Sequence, residues 1–261
     1  MKKKSIFFIH IPKTGGTTIE TLLIDAFERE NVCPFSSESD FLSTELDINK
    51  FKVFCGHNWY HTEQILPKPL FIFSFLRDPV KRTISAYEHI KRAKDHGLHD
   101  MVNNEAPTLW EYLNHRVFSI MIANPQTRII CADADYATIY SQARKGEISI
   151  EKATSILTRI SHTPPNQDQF DLAIARLEGL DFVGITEYFD ISIRMLFQAM
   201  DKQAPASIPR MNPAPDQTTE SLKKYSTQEI DLIRQMNEFD IRLYDRGLKL
   251  LKNLDPGLKR R

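Results

Sequence analysis

The stretch that most constrains this chain is its first thirty residues. There a β-branched and aromatic run passes through a glycine-bearing turn, "HIPKTGGTT", into an apolar pattern of helical period. Ser5 to Ile11 reads as a buried strand. Ile19, Leu22, Leu23, Ala26 and Phe27 fall on one face of a helix over Thr17–Glu30. A strand, a tight turn and a helix start aim backbone N–H groups at one point, which suits an anion. Residue order within the turn restricts which anion. A nucleoside-triphosphate loop, G-x-x-x-x-G-K-[ST], carries its lysine after the second glycine. Here Lys13 and Thr14 precede Gly15 and Gly16, and the hydroxyls of Thr17 and Thr18 follow.

Further elements alternate in the same way. Phe51 to Cys55 reads as a short strand, and Pro69 to Leu76 ("PLFIFSFL") as a central strand covered on both faces. Asp78-Pro79 opens a helix. Helices are expected over Thr108–Ala123, Ser149–Ser161, Asp168–Leu177 and Tyr188–Met200, with a strand over Asp181–Ile185. After a proline-rich loop at 205–216, Ser226-Thr-Gln-Glu229 is a capping box for an amphipathic helix running to about Leu251. The expectation is an α/β, P-loop-like three-layer fold: one mostly parallel sheet with helices on both faces. It forms one domain over 1–261, with 90–178 as a mostly helical addition.

Composition narrows the partners. The 34 basic and 34 acidic side chains cancel, so no global field recruits nucleic acid or anionic lipid, and any anion site is local. No stretch approaches the roughly 18 apolar residues that a spanning helix needs. The start, Met1 to His10, has no small-residue cleavage site and reads as a strand, not a leader. Cys33, Cys55 and Cys131 give neither a zinc spacing nor a disulfide framework, and a cytoplasmic setting is expected.

Ligands of open parallel sheets collect outside the carboxyl ends of the strands. Arg77 ends the "FIFSFL" strand, and Ser85 follows two turns into the next helix, so the pair can grip a second phosphate. An ordinary ion pair with Asp78 is the plainer account of Arg77. His57 follows Gly56 at another strand end and can take a hydroxyl proton; a structural histidine beside Trp59 is the alternative. His10 lies inside a strand and reads as a buried, hydrogen-bonded group behind the site. His61 and Glu20 are weaker candidates for the base. The segment "HIKRAKDHGLH" (His89 to His99) offers a basic stripe to an acidic acceptor, or simply a solvated helix face.

Two separate anion grips suggest a nucleotide phosphorylated at two places. "IPKTGGTT" resembles the 5′-phosphosulfate loop of sulfotransferases that use 3′-phosphoadenosine 5′-phosphosulfate (PAPS), and "RDPVKRTISAY" their 3′-phosphate motif, R-x₇-S. "CGHNW" resembles the strand-end Gly-His of the uronosyl 2-O-sulfotransferase branch. "NPQTR" and "FVGITEYFDISIRML" are similar to further segments of the Golgi and bacterial members. The likeness covers 5–90 well, and 120–131 and 180–215 in patches. It implies PAPS as cofactor, no metal, and a hydroxyl-bearing acceptor, a saccharide or glycan. By the same likeness Lys13 and His57 are catalytic, and Lys13, Thr14, Gly15, Gly16, Thr17, Thr18, Arg77, Ser85 and Arg210 bind the cofactor. Asn58, Gln126 and Arg128 are candidate acceptor contacts, a polar loop start before the apolar "IIC" being the alternative for the last two. The double glycine departs from many members, which carry alanine or serine in place of Gly15. A small-molecule kinase and a non-catalytic nucleotide-binding module are the rival readings.

Overall fold

The computed structural model describes residues 4–209, 222–255 and 257–258. Arg210 and most of the 205–216 loop lie outside the described residues. Four strands form one parallel sheet: β1 (Ser5–Ile9), β2 (Val53–Phe54), β3 (Leu70–Leu76) and β4 (Phe182–Ile185), in the order β2-β1-β3-β4. Ile6 pairs with Val53 and Phe71, and Phe73 with Phe182, so every strand ends at the same edge. β1 lies between the strand that follows it and the next one. The chain therefore reverses direction across β1, and the crevice above it is where such sheets bind ligands.

The strands are buried almost without alternation, with Phe7, Phe8, Phe73 and Phe75 fully enclosed, because helices cover both faces. In chain order the helices are α1 (Gly16–Phe27), α2 (Glu38–Ser43), α3 (Pro79–Arg92), α4 (His99–Glu105), α5 (Leu109–Asn114), α6 (Arg116–Ile122) and α7 (Pro125–Cys131). They continue with α8 (Tyr136–Arg144), α9 (Ile150–His162), α10 (Gln167–Gly179), α11 (Phe189–Ala199), α12 (Thr227–Met236) and α13 (Glu238–Leu254). The main core spans the sheet, and a second cluster joins α3, α5 and α6 through Ile84, Tyr112 and Phe118.

Three differences from the sequence expectation have local causes. The helix expected over Thr108–Ala123 is two, because His115 turns extended and its Nδ1 accepts from the Val117 N–H, capping the second helix. The helix expected from Ser226 starts at its capping box but breaks at Asn237. Asn237 is buried there, donating to the Ile233 carbonyl and accepting from the Asn124 N–H. The apolar "IIC" that follows "NPQTR" is helical, within α7.

Candidate active site

The turn after β1 is built by left-handed backbone at Lys13 (φ 72°) and Gly15 (φ 90°). Three contacts hold it. The Thr14 hydroxyl donates to the Ile11 carbonyl at 2.8 Å, and Arg77 Nη1 donates to the Lys13 carbonyl at 2.9 Å. The Thr186 hydroxyl, just past β4, sits 3.0 Å from both the Thr14 and Leu76 carbonyls, tying loop to sheet. α1 starts at Gly16 with no side chain capping it and no acidic residue in its first turn. Its leading N–H groups are thus arranged for an external anion. A side chain at Gly16 is excluded by His10, since a Cβ there would lie 1.8 Å from Nε2 of the ring.

These elements floor a cleft of about 660 Å³, within the range of small-ligand sites. Among the described residues, Lys13, Arg77, Arg82 and Arg128 line it, and no aspartate or glutamate does. In a chain without net charge, these four basic groups make the positive character of the cleft a local feature. Burial, with repulsion from Arg77 and Arg92, lowers the Lys13 pKa to about 8. Burial likewise lowers Arg128 to about 10 and moves Arg77 and Arg82 downward, against the opposing pull of Glu187 on Arg77 and Asp240 on Arg82. An entering anion would relieve all four costs together.

His57 is fixed at the cleft by its backbone. Its N–H donates to the Ser36 carbonyl at 2.8 Å, and Gly56 (φ 125°) passes the Ser36 backbone too closely to carry a side chain. The His57 ring lies on His10, centroids 4.4 Å apart and planes 25° apart. Burial, then repulsion from His10, lower its pKa to about 4, while Glu20 and the His10 backbone pull the other way. The ring is therefore neutral at physiological pH, the state required of a proton acceptor.

The other candidates separate. Thr17, Thr18 and Ser85 line the cleft, whereas Thr14 is fully buried outside its lining, with its hydroxyl bonded to the Ile11 carbonyl. Asp78 uses its carboxylate to cap α3, accepting from the Lys81 N–H at 2.9 Å. Gln126 does not line the cleft. It is fully buried, and its amide clamps the Arg77 peptide, accepting from the N–H at 3.0 Å and donating to the carbonyl at 2.9 Å. Asn58 is also buried and absent from the cleft wall. Arg128 does reach the cleft, with Nη2 donating to the Met121 carbonyl. His61 points away, its Nε2 2.7 Å from Glu38. Of the histidine stripe, His89 and His96 line the cleft edge to face, whereas the His99 ring packs beside the Ile90 carbonyl.

Arg82 was not singled out by sequence, although Arg82, Ser85, Ala86, His89 and Ile90 share the face of α3 that lines the cleft. Their helical spacing was the available signal. Trp59, Ile129 and His162 also line the cleft. Among the described residues, no cluster of three or more His, Cys, Asp or Glu side chains is placed to hold a metal, and no helix is long and apolar enough to cross a membrane.

A parallel α/β sheet with a basic cleft over an uncapped helix start suits an anionic ligand. The particular family follows from comparison: the model of the sulfotransferase family matches residues 1–245, and the chain belongs to that family. It is also 30% identical over 88 residues to a protein-tyrosine sulfotransferase of Arabidopsis thaliana. That match covers 33% of this chain and 17% of the relative, so the chain spans only a small part of that protein.

Proposed function

We propose that this chain transfers a sulfuryl group from PAPS to an acceptor hydroxyl on a saccharide or glycan, in the cytoplasm. The observation that carries this reading is the cleft in which four basic side chains and an uncapped helix start meet, with no carboxylate among the described residues that line it. Lys13, the N–H groups of Gly16 to Thr18 and the Thr17 and Thr18 hydroxyls are the donors for the 5′ end. Arg77 and Ser85 are those for the 3′-phosphate. The donor chemistry and the cleft volume fit such a nucleotide. When bound, PAPS supplies the sulfuryl group and a phosphate leaving group.

His57 takes the proton of the acceptor hydroxyl as the oxygen–sulfur bond forms. Lys13 stabilises the electron pair left on the departing phosphate oxygen, and His57 later returns its proton to solvent. Fixed donors at the point where charge develops lower the barrier without reorganisation. The likeness of "CGHNW" to the uronosyl branch supports the saccharide acceptor. Cys33, Cys55 and Cys131 are buried and unpaired with one another, which supports a reducing compartment.

Thermal unfolding with 3′-phosphoadenosine 5′-phosphate (PAP), against AMP, ADP and ATP-Mg, tests the cofactor. At about 100 times its dissociation constant a ligand adds roughly 2.7 kcal/mol. The expected result is a melting shift of several degrees that requires the 3′-phosphate; a shift with ATP-Mg alone would revive the kinase. Labelled PAPS with saccharide and tyrosine-peptide acceptors then tests the acceptor. Label entering the peptides alone would overturn the saccharide.

A further inference from the structure

Two ionisable groups beside the site, His10 and Glu20, have no part in the transfer just described. They are nevertheless arranged tightly. Glu20 Oε1 lies 2.9 Å from His10 Nδ1. A carboxylate only accepts, so Nδ1 is the donor of this contact, and Nε2 is the ring atom turned toward Gly16. The His10 ring is 7% exposed and is held on both faces, by Phe8 at 5.3 Å and by His57 at 4.4 Å. Its edge presses on Gly16, whose missing Cβ makes room for it. A phenylalanine or leucine would fill an apolar position between Phe8 and a neighbouring ring equally well. A polar ring tied to a partly exposed carboxylate is placed there instead.

We propose that Glu20 and His10 are positioning residues for the base. Glu20 locks the His10 ring, and the face of that ring holds the His57 imidazole in the orientation that meets the acceptor hydroxyl. The Glu20 carboxylate also offsets the positive charge His57 acquires with the proton. This inference rests on the sulfotransferase reading. The electrostatics agree in sign, because Glu20 favours the protonated His57 ring and His10 opposes it. Cys55, next to the same strand end, stays a neutral thiol because burial raises its pKa to about 12.

Three variants of the full chain test the role: Glu20→Ala, Glu20→Gln, which keeps an acceptor but loses the charge, and His10→Gln, which loses the ring face. The readouts are the PAP melting shift, single-turnover sulfate release from labelled PAPS to water, and NMR titration of the His57 ring. All three variants are expected to keep the PAP shift. Sulfate release is expected to fall on the order of tenfold in Glu20→Ala and His10→Gln, and less in Glu20→Gln, as when a carboxylate that orients a functional histidine is removed. The His57 midpoint is expected to move lower in Glu20→Gln, which a purely structural role would leave in place. Unchanged His57 titration and unchanged release in Glu20→Ala would overturn the inference while the PAP shift still stood. A wild-type chain that ignores PAP would instead remove the sulfotransferase reading itself.

Discussion

On one wall of the cleft, Lys13, Gly15, Gly16, Thr17 and Thr18 face the open space. Behind the other, Asn124, Gln126 and Thr127 are bonded to distant parts of the protein. Asp240, fully buried, accepts from the Gln126 N–H at 3.0 Å and the Thr127 N–H at 2.7 Å. Asn124 Oδ1 accepts from the Asp240 N–H, and Gln126 completes the chain by clamping the Arg77 peptide. Both stretches begin α helices and both carry left-handed backbone just before them, at Gly15 and Asn124. The difference is what answers the helix N–H groups. At α7 a carboxylate from α13 does so, and the helix is scaffold. At α1 no side chain does, which leaves the helix start open to the anion of the proposed cofactor.

Removing the scaffold's carboxylate should have the largest effect. Asp240→Ala strips two peptide N–H groups of their acceptor and leaves the buried Arg82 without its main opposing charge. The expected loss is about 3–5 kcal/mol, a drop in melting temperature on the order of 10 °C. A fall of under about 2 °C would mean that this wall is less closed than its hydrogen bonds indicate.

Lys13→Ala is the opposite experiment on the open wall. Transfer from PAPS should fall by about 10²–10³, with the melting temperature unchanged or slightly higher, since a half-buried charge has gone. Lost stability with retained transfer would exchange the roles of the two walls.

Gln126→Ala tests where the walls join. It leaves the Arg77 N–H and carbonyl unpaired, at a cost of about 1–3 kcal/mol, and should weaken PAP binding by calorimetry through a misplaced Arg77. If PAP binding held and only acceptor saturation changed, Gln126 would be an acceptor contact after all.

The smallest effect is on pH. The free Lys13 loses its proton near pH 8, and a phosphate beside it raises that pKa. Above pH 8 binding must therefore take up a proton. PAP affinity should be flat below that point and weaken above it, by at most about tenfold per pH unit. Calorimetry from pH 7 to 9.5 checks this, and Lys13→Arg should abolish the slope.

The open wall was legible in sequence because its donors are neighbours along the chain, in a pattern whose order alone distinguishes it from a triphosphate loop. The parallel sheet was legible for the same reason, through the unbroken apolar run of β3. The closed wall was not. Gln126 and Asp240 are 114 positions apart, and nothing local in "NPQTR" says that its amide clamps a strand end 49 positions earlier. Arg82 was missed because an arginine in a helix reads as solvated until the helix's neighbours are known. Asn237 looks like any polar residue on an amphipathic helix, and only its bond to Asn124 shows why the helix breaks there.

The close approach of Gly16 to His10 has a consequence for how such a chain can change. The two positions share one small volume, so neither is free to vary by itself. An alanine at 16 would have to displace the ring, and only a smaller residue at 10 would make it tolerable. In a library randomised at both sites, survivors should therefore occupy a narrow diagonal of size-matched pairs. The order in which substitutions arrive would then matter as much as their identity.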